Sequence, residues 1–379
     1  MGDQYGVVKV AAVQAASVFL DREASTAKAC RMIREAGKAG ARVIGFPEGF
    51  IPAHPVWYHH HAATAAVANR LAVELFKNSV EVPGPETAAL CAAARDANAY
   101  VVVGICEKIS GTIGTMFNTQ LYIAPDGTLI RKHQKIMPTV GERLVHMGGF
   151  GDTFGTFQSE FGPMSGLICG ENSNPLAVFA LTAEGTRIHV MSWPNHFPTS
   201  GDPMRNRVSV DSQSFAQMSK AFVISACGTV DEDMIRKLEL SPEQEAIVRD
   251  RRFSGGSVIV APNLRIIAGP MGAEEGILYA DCDLEIGIKM KLRHDFAGHY
   301  NRPDIFQLHV NRAAPHIYNI HNAPERPALP DAHSEGLDAI AGPSALLESP
   351  AAAGSTDVPA VRADGGRRAG KRTRSNRPV

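Results

Sequence analysis

The chain has 379 residues, with 38 Lys and Arg against 39 Asp and Glu, so its formal net charge is -1. This balance excludes a general attraction to nucleic acid or to an anionic membrane surface. Hydrophobic residues make up 44% and charged residues 20% of the chain, which is typical of a globular protein with a large core. The sequence shows no uncharged apolar run of membrane-spanning length, and no secretory signal is predicted.

Six cysteines are scattered along the chain without a Cys-x-x-Cys pair. This distribution argues against a disulfide framework and against a zinc site, and it favours a reducing environment. We therefore predict a cytoplasmic protein whose cysteines stay free.

Short apolar strands alternate with helical segments along most of the chain. In chain order, strands are predicted at residues 7–13, 42–46, 100–105, 120–123, 187–191, 221–225, 256–260 and 276–280. Helices are predicted at 24–39, 85–97 and 214–220, because apolar side chains recur there with helical spacing. This alternation favours an α/β architecture. Around Ala124-Pro-Asp-Gly127 and Ala261-Pro-Asn263 the spacing tightens to strand, turn and strand, so hairpins and mixed sheets are expected.

The composition changes after about residue 325, where Ala, Gly, Pro and Ser become frequent and the last residues are strongly basic. Such a segment buries too little apolar surface to offset its chain entropy. We therefore predict one folded domain at residues 1–325 and a disordered tail at 326–379. A basic arm for nucleic acid is the alternative, but the rest of the chain offers it no support.

Cys169 stands at a predicted strand-to-helix turn. The apolar run at 164–168 predicts a buried strand, Gly170 permits a sharp turn, and Asn174-Pro175 marks a helix start. Backbone N–H groups of such a turn polarise the sulfur and favour a thiolate. Cys169 is therefore a candidate nucleophile, and a buried core cysteine is the alternative.

Three further ionisable residues follow predicted strands or the loops beyond them. Glu48 comes directly after one strand, Lys135 follows a hairpin strand, and Glu142 lies seven residues later. Ligand sites in open α/β sheets lie at the carboxyl ends of strands, so these groups are expected to meet.

A thiolate that attacks a polarised carbon needs a base to take the thiol proton and a cation to stabilise the developing negative charge. Glu48 is the predicted base, provided that burial raises its pKa, and Lys135 is the predicted cation. Glu142 can orient Lys135 and act as a second acid or base. The structural alternatives are a helix cap for Glu48, a surface lysine for Lys135, and a surface ion pair between Glu142 and Arg143.

Three segments resemble, in order and spacing, the signature segments of the nitrilase (carbon–nitrogen hydrolase) superfamily. They are Phe46-Pro-Glu48, Lys135-Ile-Met-Pro-Thr139 with Glu142-Arg143, and Cys169-Gly-Glu-Asn172. Pro175-Leu176 and His189-Val-Met-Ser-Trp-Pro194 are more similar to the nitrilase branch than to its amidase relatives. The resemblance spans about residues 6–310.

The resemblance implies a four-layer αββα sandwich of the α/β class with mixed sheets, a Glu–Lys–Cys triad and no cofactor. It also implies face-to-face pairing of subunits, often extended into spiral homo-oligomers. It makes Glu48 the base, Lys135 the charge stabiliser, Cys169 the nucleophile and Glu142 an additional acidic residue. Many nitrilases have tryptophan after the nucleophile, whereas this chain has Gly170. Gly170 is predicted to contact substrate, and the difference affects the shape of the pocket but not the chemistry.

Two aromatic stretches are predicted to line the substrate pocket. Trp57 and Tyr58 follow the predicted base closely and offer flat apolar surfaces, and Trp193 and His196 follow the strand after the nucleophile helix. Plain core packing is the alternative for both stretches. The consecutive histidines 59–61 cannot converge on one ion, so no metal site is predicted there.

These patterns predict a nitrilase that converts a small organic nitrile to its carboxylic acid and ammonia. The nearest alternative is an amidase or an amide-forming nitrile hydratase of the same superfamily. A catalytically silent scaffold or binding protein is the alternative from another class. The sequence does not indicate whether the nitrile is aliphatic, arylacetonitrile or aromatic.

Overall fold

Residues 2–198 and 201–314 are described by the computed structural model, and within them the chain forms twelve strands and eight α-helices. The strands are β1 (Val7–Gln14), β2 (Val43–Gly45), β3 (Tyr100–Lys108), β4 (Met116–Ile123), β5 (Leu129–Gln134), β6 (Phe157–Ser159), β7 (Gly162–Ile168), β8 (Ile188–Trp193), β9 (Phe222–Cys227), β10 (Val258–Val260), β11 (Ile266–Ala268) and β12 (Gly276–Asp283). The helices are α1 (Arg22–Lys38), α2 (Ala66–Asn78), α3 (Pro85–Ala97), α4 (Pro175–Ala183), α5 (Met204–Ser219), α6 (Glu232–Leu238), α7 (Pro242–Val248) and α8 (Glu285–Arg293). The domain boundary predicted at 325 and the tail at 326–379 lie outside the described residues and stay predictions.

The strands form two six-stranded sheets, with the orders β12-β1-β2-β3-β4-β5 in the first sheet and β11-β10-β9-β8-β7-β6 in the second. In each sheet three consecutive strands are parallel, β1 to β3 in the first and β7 to β9 in the second. The outer strands pair antiparallel, including the predicted hairpins β4–β5 and β10–β11. The prediction of mixed sheets is confirmed.

The two sheets face each other and carry helices on their outer faces. Val10 and Val102 of the first sheet pack with Val190 and Ile224 of the second in one buried cluster. Helices α1 and α3 cover the first sheet, and α4 and α5 cover the second. Apolar burial of this kind stabilises the fold by about 1.5–3 kcal/mol for each large side chain. The architecture is the four-layer αββα sandwich that the resemblance implies.

Helix α1 shows how local sequence and packing agree. The side chain of Asp21 accepts a hydrogen bond from the backbone N–H of Ala24 at 2.9 Å and so caps the helix. Ala29, Ile33 and Ala36 then follow at intervals of three or four residues and are buried against the first sheet.

Two elements begin well before their predicted first residues. Strand β4 begins at Met116 rather than at residue 120, because buried polar residues such as Asn118 interrupt the apolar run. Helix α5 begins at Met204 rather than at residue 214, because polar side chains dominate its exposed first turns. Among the described residues, none of the helices has the length and apolar character needed to cross a membrane.

Candidate active site

The predicted catalytic residues lie at or just beyond the ends of three strands, in one buried region. Glu48 follows β2, Lys135 directly follows β5, and Cys169 directly follows β7. Lys135 Nζ lies 2.7 Å from Glu48 Oε1, and the charges of both groups act on the Cys169 thiol. The meeting expected from the positions of these residues at strand ends is therefore observed.

The loop that carries Glu48 is held by both sheets. The backbone N–H of Glu48 donates to Trp193 O at 3.0 Å, and Ser192 Oγ donates to Phe46 O at 2.8 Å, so the end of β8 anchors the loop. A Cβ atom at Gly104 of β3 would lie 2.2 Å from Pro47 O, so a larger residue there would displace the loop. These contacts place the carboxyl group over the sheet ends.

A buried hydrogen-bond network joins the two carboxylates through one ammonium and one amide. Lys135 Nζ donates to Glu48 Oε1 and to Glu142 Oε2. Asn118 Nδ2 donates to Glu48 Oε1 and to Glu142 Oε1, both at 2.7 Å. The backbone N–H of Thr139 also donates to Glu142 Oε2 at 2.8 Å. Lys135 is 0% exposed and Glu142 is 3% exposed, which rules out the surface alternatives for both residues.

The surroundings of Glu48 and Glu142 shift the pKa values of the two carboxyl groups in opposite directions. Burial raises the pKa of Glu48 to about 7, although Lys135 and Asn118 oppose the shift. Burial alone would also raise the pKa of Glu142, but Lys135 and His146 outweigh it and hold this pKa well below its usual value. Glu48 can therefore exchange a proton near neutral pH. Glu142 stays ionised, which agrees with its predicted role of orienting Lys135 and not with that of a second acid or base.

The protonation state of Cys169 differs from the sequence prediction. Burial is the largest cause that raises the pKa of Cys169, and Glu48 raises it further, whereas Lys135 and the N–H of Gly170 lower it. The pKa of Cys169 therefore lies well above its ordinary value, so the resting group is a thiol. The predicted preference for thiolate is wrong here because burial and the carboxylate outweigh the turn N–H groups. Attack by Cys169 consequently requires transfer of its proton to a base.

Cys169 also has a strained backbone. Its φ is +53°, in the left-handed region that residues with a Cβ atom rarely adopt. The residue opens a short 3-10 turn, Cys169–Ser173, and Asn174 then caps helix α4 by accepting from Leu176 N at 3.0 Å. The predicted strand, turn and helix around the nucleophile are thus confirmed.

Glu171 is a residue whose contacts the sequence did not indicate. Its Oε2 accepts from the backbone N–H of Ile168 at 2.9 Å, and its Oε1 accepts from the N–H of Ile136 at 2.5 Å. His133 Nε2 lies 3.0 Å from Oε2. The carboxylate therefore ties the turn that carries the nucleophile to the segment that carries the lysine.

Asn118 was also missed, although the sequence contains a clue. Asn118, Gln120 and Tyr122 alternate along β4, and all three are buried. Gln120 Nε2 donates to Ser192 Oγ at 2.7 Å, and Tyr122 donates to Gly166 O at 3.1 Å across the two sheets. Polar residues repeated on one face of a buried strand indicate a hydrogen-bonded interior, because unpaired polar groups are costly to bury.

Two histidines flank the carboxylates. His54 Nδ1 lies 3.7 Å from Glu48 Oε1, and His146 Nδ1 lies 3.5 Å from Glu142 Oε1. Burial lowers the pKa of His54 to about 3, so its ring is neutral. Ligand atoms of Glu48, His54 and Glu142 lie within 4.8 Å of one another, a spacing that suits a metal ion. The Lys135 ammonium already occupies the cation position between these carboxylates.

A small cavity of about 40 Å³ opens beside the nucleophile. Its walls are formed by Thr139, Cys169, Gly170, Trp193, Pro194, Phe197, Met204 and Arg207. Gly170 and Trp193 therefore lie where the sequence prediction put them, and their contact with substrate stays a prediction.

The other three predicted pocket residues do not line this cavity. Trp57 is fully buried and packs edge-on against Phe19, with 6.3 Å between ring centroids. Tyr58 is half-buried beside it, and His196 is buried with Nε2 3.2 Å from Ile247 O. These contacts agree with core packing, the alternative for both stretches, because an aromatic side chain near such a loop fits the neighbouring core equally well. Contact of the three residues with substrate stays a prediction.

The fold is a four-layer αββα sandwich in which a buried glutamate and lysine and a buried cysteine lie at or just beyond the ends of three strands. A family model described as carbon-nitrogen hydrolase matches residues 9–290, and the chain belongs to this family. The superfamily and the fold class predicted from the sequence are confirmed.

The chain is similar to several curated nitrilases. It is 36% identical to "Nitrilase" of Bacillus sp. (strain OxB-1) over 81% of this chain and 89% of that protein. It is 35% identical to "Aliphatic nitrilase" of Sinorhizobium fredii (strain HH103), over 80% of this chain and 95% of that protein. The fold is similar to that of the C. elegans NitFhit protein, with a TM-score of 0.63 and 17% identity over 83% of this chain and 70% of that one.

Proposed function

We propose that this protein hydrolyses an organic nitrile to the carboxylic acid and ammonia, with Cys169 as the nucleophile. The observation that carries the proposal is the buried contact of Glu48 with Lys135 at 2.7 Å, in which the charges of both groups act on the Cys169 thiol. The pKa of Glu48 is raised to about 7, so this carboxylate can take the proton that the thiol must lose to react. The nitrilase names of relatives at 35–36% identity support the nitrile as substrate.

In the first half of the proposed reaction, Glu48 takes the thiol proton while the sulfur of Cys169 adds to the nitrile carbon. The protonated Glu48 then gives this proton to the nitrile nitrogen, so that a thioimidate forms and Glu48 is again a carboxylate. The Lys135 ammonium, held by Glu48 and Glu142, lies where it can stabilise negative charge that develops during the addition.

In the second half, Glu48 removes a proton from a water molecule that adds to the thioimidate carbon. The tetrahedral intermediate expels ammonia and leaves a thioester, which a second water molecule hydrolyses to the carboxylic acid and the free thiol. If the intermediate instead expels the sulfur, the product is an amide. The fixed charge of the lysine and the neutral His54 leave Glu48 as the group beside the sulfur that exchanges protons near neutral pH.

The proposal is tested with a panel of aliphatic, arylacetonitrile and aromatic nitriles and the corresponding amides. Ammonia, acid and amide are measured for each compound. We expect acid and ammonia in equal amounts from at least one nitrile, with little amide. Amide as the main product would assign a hydratase, turnover of amides alone would assign an amidase, and no turnover with an unreactive Cys169 would assign a scaffold.

The rate should depend on the protonation of Glu48. The base must be ionised to accept the thiol proton, so activity is present above its pKa and is lost as the pH falls through it. Because burial raises that pKa to about 7, kcat/KM is expected to show an acid limb with a midpoint near 7. A profile measured between about pH 5 and 9 checks this, and a limb near the ordinary glutamate value would contradict the assignment.

Gly170 should control the size of the substrate. A Cβ atom at this position would meet only Thr139 Oγ1, at 3.7 Å, so Gly170→Ala is expected to leave the melting temperature unchanged. The added methyl group narrows the cavity, and kcat/KM for a branched nitrile should fall about 10-fold more than for a linear one. Gly6→Ala, where a Cβ meets nothing within 4 Å, is the matched control. Equal effects on both nitriles would place Gly170 outside the substrate path.

We also propose that the protein forms homo-oligomers and works in the cytoplasm. Leu176 of α4 and Val210 of α5 are 62% and 63% exposed on the outer helical layer, which supports face-to-face pairing through these helices. All six cysteines are free, which supports a reducing compartment.

A further inference from the structure

His189 lies behind the nucleophile and outside the cavity that the substrate would enter. It belongs to β8, is 0% exposed, and stacks on the ring of Phe215 with 3.7 Å between centroids. The resemblance includes the segment His189-Val-Met-Ser-Trp-Pro194, but the proposed chemistry assigns this histidine no part.

A chain of buried hydrogen bonds connects His189 to the nucleophile's backbone. Asn172 Nδ2 donates to Cys169 O at 2.9 Å and to Leu167 O at 3.3 Å, so its amide nitrogen must face these two carbonyl groups. Asn172 Oδ1 therefore points the other way, 2.8 Å from His189 Nε2. On the far side of the ring, Ser165 Oγ lies 2.7 Å from Nδ1.

These contacts determine the tautomer of the histidine. An amide oxygen can only accept a hydrogen bond, so His189 Nε2 must carry the proton and donate it to Asn172. Nδ1 is then an acceptor, and the hydroxyl group of Ser165 donates to it. All three side chains are at most 2% exposed, so water has little access to the chain of hydrogen bonds.

The series of hydrogen bonds ends at Cys169, the residue of the site with a strained backbone. Cys169 has a φ of +53°, and a backbone in this region persists only where its surroundings hold it. Asn172 holds the carbonyl oxygen of Cys169, while Glu171 holds the N–H of Ile168 on the other side. Among the described residues, His189 supplies the single hydrogen bond that Asn172 Oδ1 accepts.

His189 does not act as an acid or base in this arrangement. Burial, and to a smaller extent His133, hold its pKa well below the usual value, so the ring stays neutral. Its two nitrogens contact Asn172 and Ser165, and the ring lines no part of the cavity beside Cys169.

We propose that His189 is a positioning residue for the nucleophile. Its Nε2–H fixes the Asn172 amide, and that amide holds the carbonyl group of Cys169 and thereby the direction of the sulfur. This inference rests on the proposed function, because its main readout is nitrile hydrolysis.

The test compares His189→Gln with His189→Asn. The glutamine amide nitrogen reaches the Nε2 position and can still donate to Asn172, whereas the shorter asparagine cannot. We expect His189→Gln to keep kcat within about 5-fold of wild type, and His189→Asn to lower kcat about 100-fold with KM nearly unchanged, since a misplacement of about 1 Å costs a factor of this size. His189→Gln should also keep the acid limb of the pH profile.

A second readout requires no nitrile. Alkylation of Cys169 by iodoacetamide, followed peptide by peptide with mass spectrometry, is expected to be about 10-fold slower in His189→Asn than in wild type or His189→Gln. If the wild type hydrolyses no nitrile, the proposed function fails while the order of alkylation rates still decides the role of His189. Wild-type kcat and alkylation in His189→Asn, or equal impairment of both variants, would overturn the positioning role. Loss of the acid limb in His189→Gln would overturn it in favour of acid–base chemistry.

Ser165→Ala changes the contact at Nδ1, on the other side of the His189 ring, and leaves the stack on Phe215 intact. It removes the donor to Nδ1, and we expect kcat to fall about 10-fold with KM unchanged. If His189→Asn does not fold, Ser165→Ala tests whether His189 positions Cys169. A wild-type kcat together with a wild-type alkylation rate in Ser165→Ala would overturn the proposal.

Discussion

Replacement of Cys169 by alanine is expected to abolish nitrile turnover and leave the fold intact. The substitution removes the sulfur that forms the covalent intermediate, and loss of a nucleophile typically lowers kcat by a factor on the order of 10⁴ or more. Alanine fills nearly the same volume on the turn between β7 and α4, so the melting temperature should change little. Ammonia release from the best nitrile of the panel and thermal unfolding are the two measurements.

Cys227→Ala is the matched control for this variant. Cys227 is fully buried at the end of β9 in the core beneath α5, and its pKa is raised mainly by burial. It is expected to keep wild-type kcat, because its thiol lies outside the cavity beside Cys169. Ammonia release by Cys169→Ala near the wild-type rate would end the assignment of the nucleophile.

Replacement of Lys135 by methionine is expected to abolish turnover and to destabilise the protein strongly. Methionine keeps the length of the side chain but leaves Glu48 and Glu142 buried without their shared cation. Removal of one partner from a buried ion pair costs about 3–5 kcal/mol of unfolding free energy. Chemical denaturation and ammonia release measure the two effects.

The contribution of Glu142 to the pH dependence of stability should change sign in Lys135→Met, whereas that of Glu48, whose pKa is already raised in the wild type, keeps its sign. In the wild type Lys135 helps to hold the pKa of Glu142 well below its usual value, so this carboxylate stabilises the fold above its unfolded pKa and loses that contribution as the pH falls. Without Lys135, burial dominates and raises the pKa of both carboxyl groups. Their contribution to stability is then present at low pH and is lost as the pH rises through the raised values, so the variant should melt higher at about pH 5 than at about pH 8.

Lys77→Met is the control for loss of a lysine. Lys77 and Glu74 form an ion pair on the surface of α2, with side chains 61% and 42% exposed. Pairs of this kind contribute at most about 1 kcal/mol, so stability and turnover should stay near wild type. A Lys135→Met protein as stable as this control would show that the buried carboxylates do not depend on the lysine.

Strand ends were the part of the site that could be predicted from the sequence. Glu48 and Cys169 each follow an apolar run with a clear end, and Lys135 follows the second strand of a predicted hairpin; β2, β7 and β5 are observed at these places. Strand β4 and helix α5 were recognised only in part, because buried polar residues in one and exposed polar turns in the other hide the apolar period. Local pattern succeeds where one apolar face or run dominates an element.

Partners that are distant along the chain could not be predicted. Asn118 joins two carboxylates that lie 70 and 24 residues away, and Glu171 reaches Ile136 across 35 residues. The tautomer of His189 depends on Asn172, 17 residues away. Such contacts arise only when separate strands are aligned in the sheets, so they cannot be predicted from the spacing of residues along the chain.

The amino-acid sequence was sufficient to identify the family and, through the resemblance, the αββα class, because both depend on short ordered segments. The same segments predict the positions of the proposed nucleophile, base and cation. The protonation of the site depends on the packed structure: the Cys169 thiol, the Glu48 pKa near 7 and the lowered pKa of Glu142. The packed structure also decided that Trp57 belongs to the core and not to the cavity wall. Burial and the sum of charges at a point depend on every segment packed around that point, and they are set only when the two sheets pack against each other.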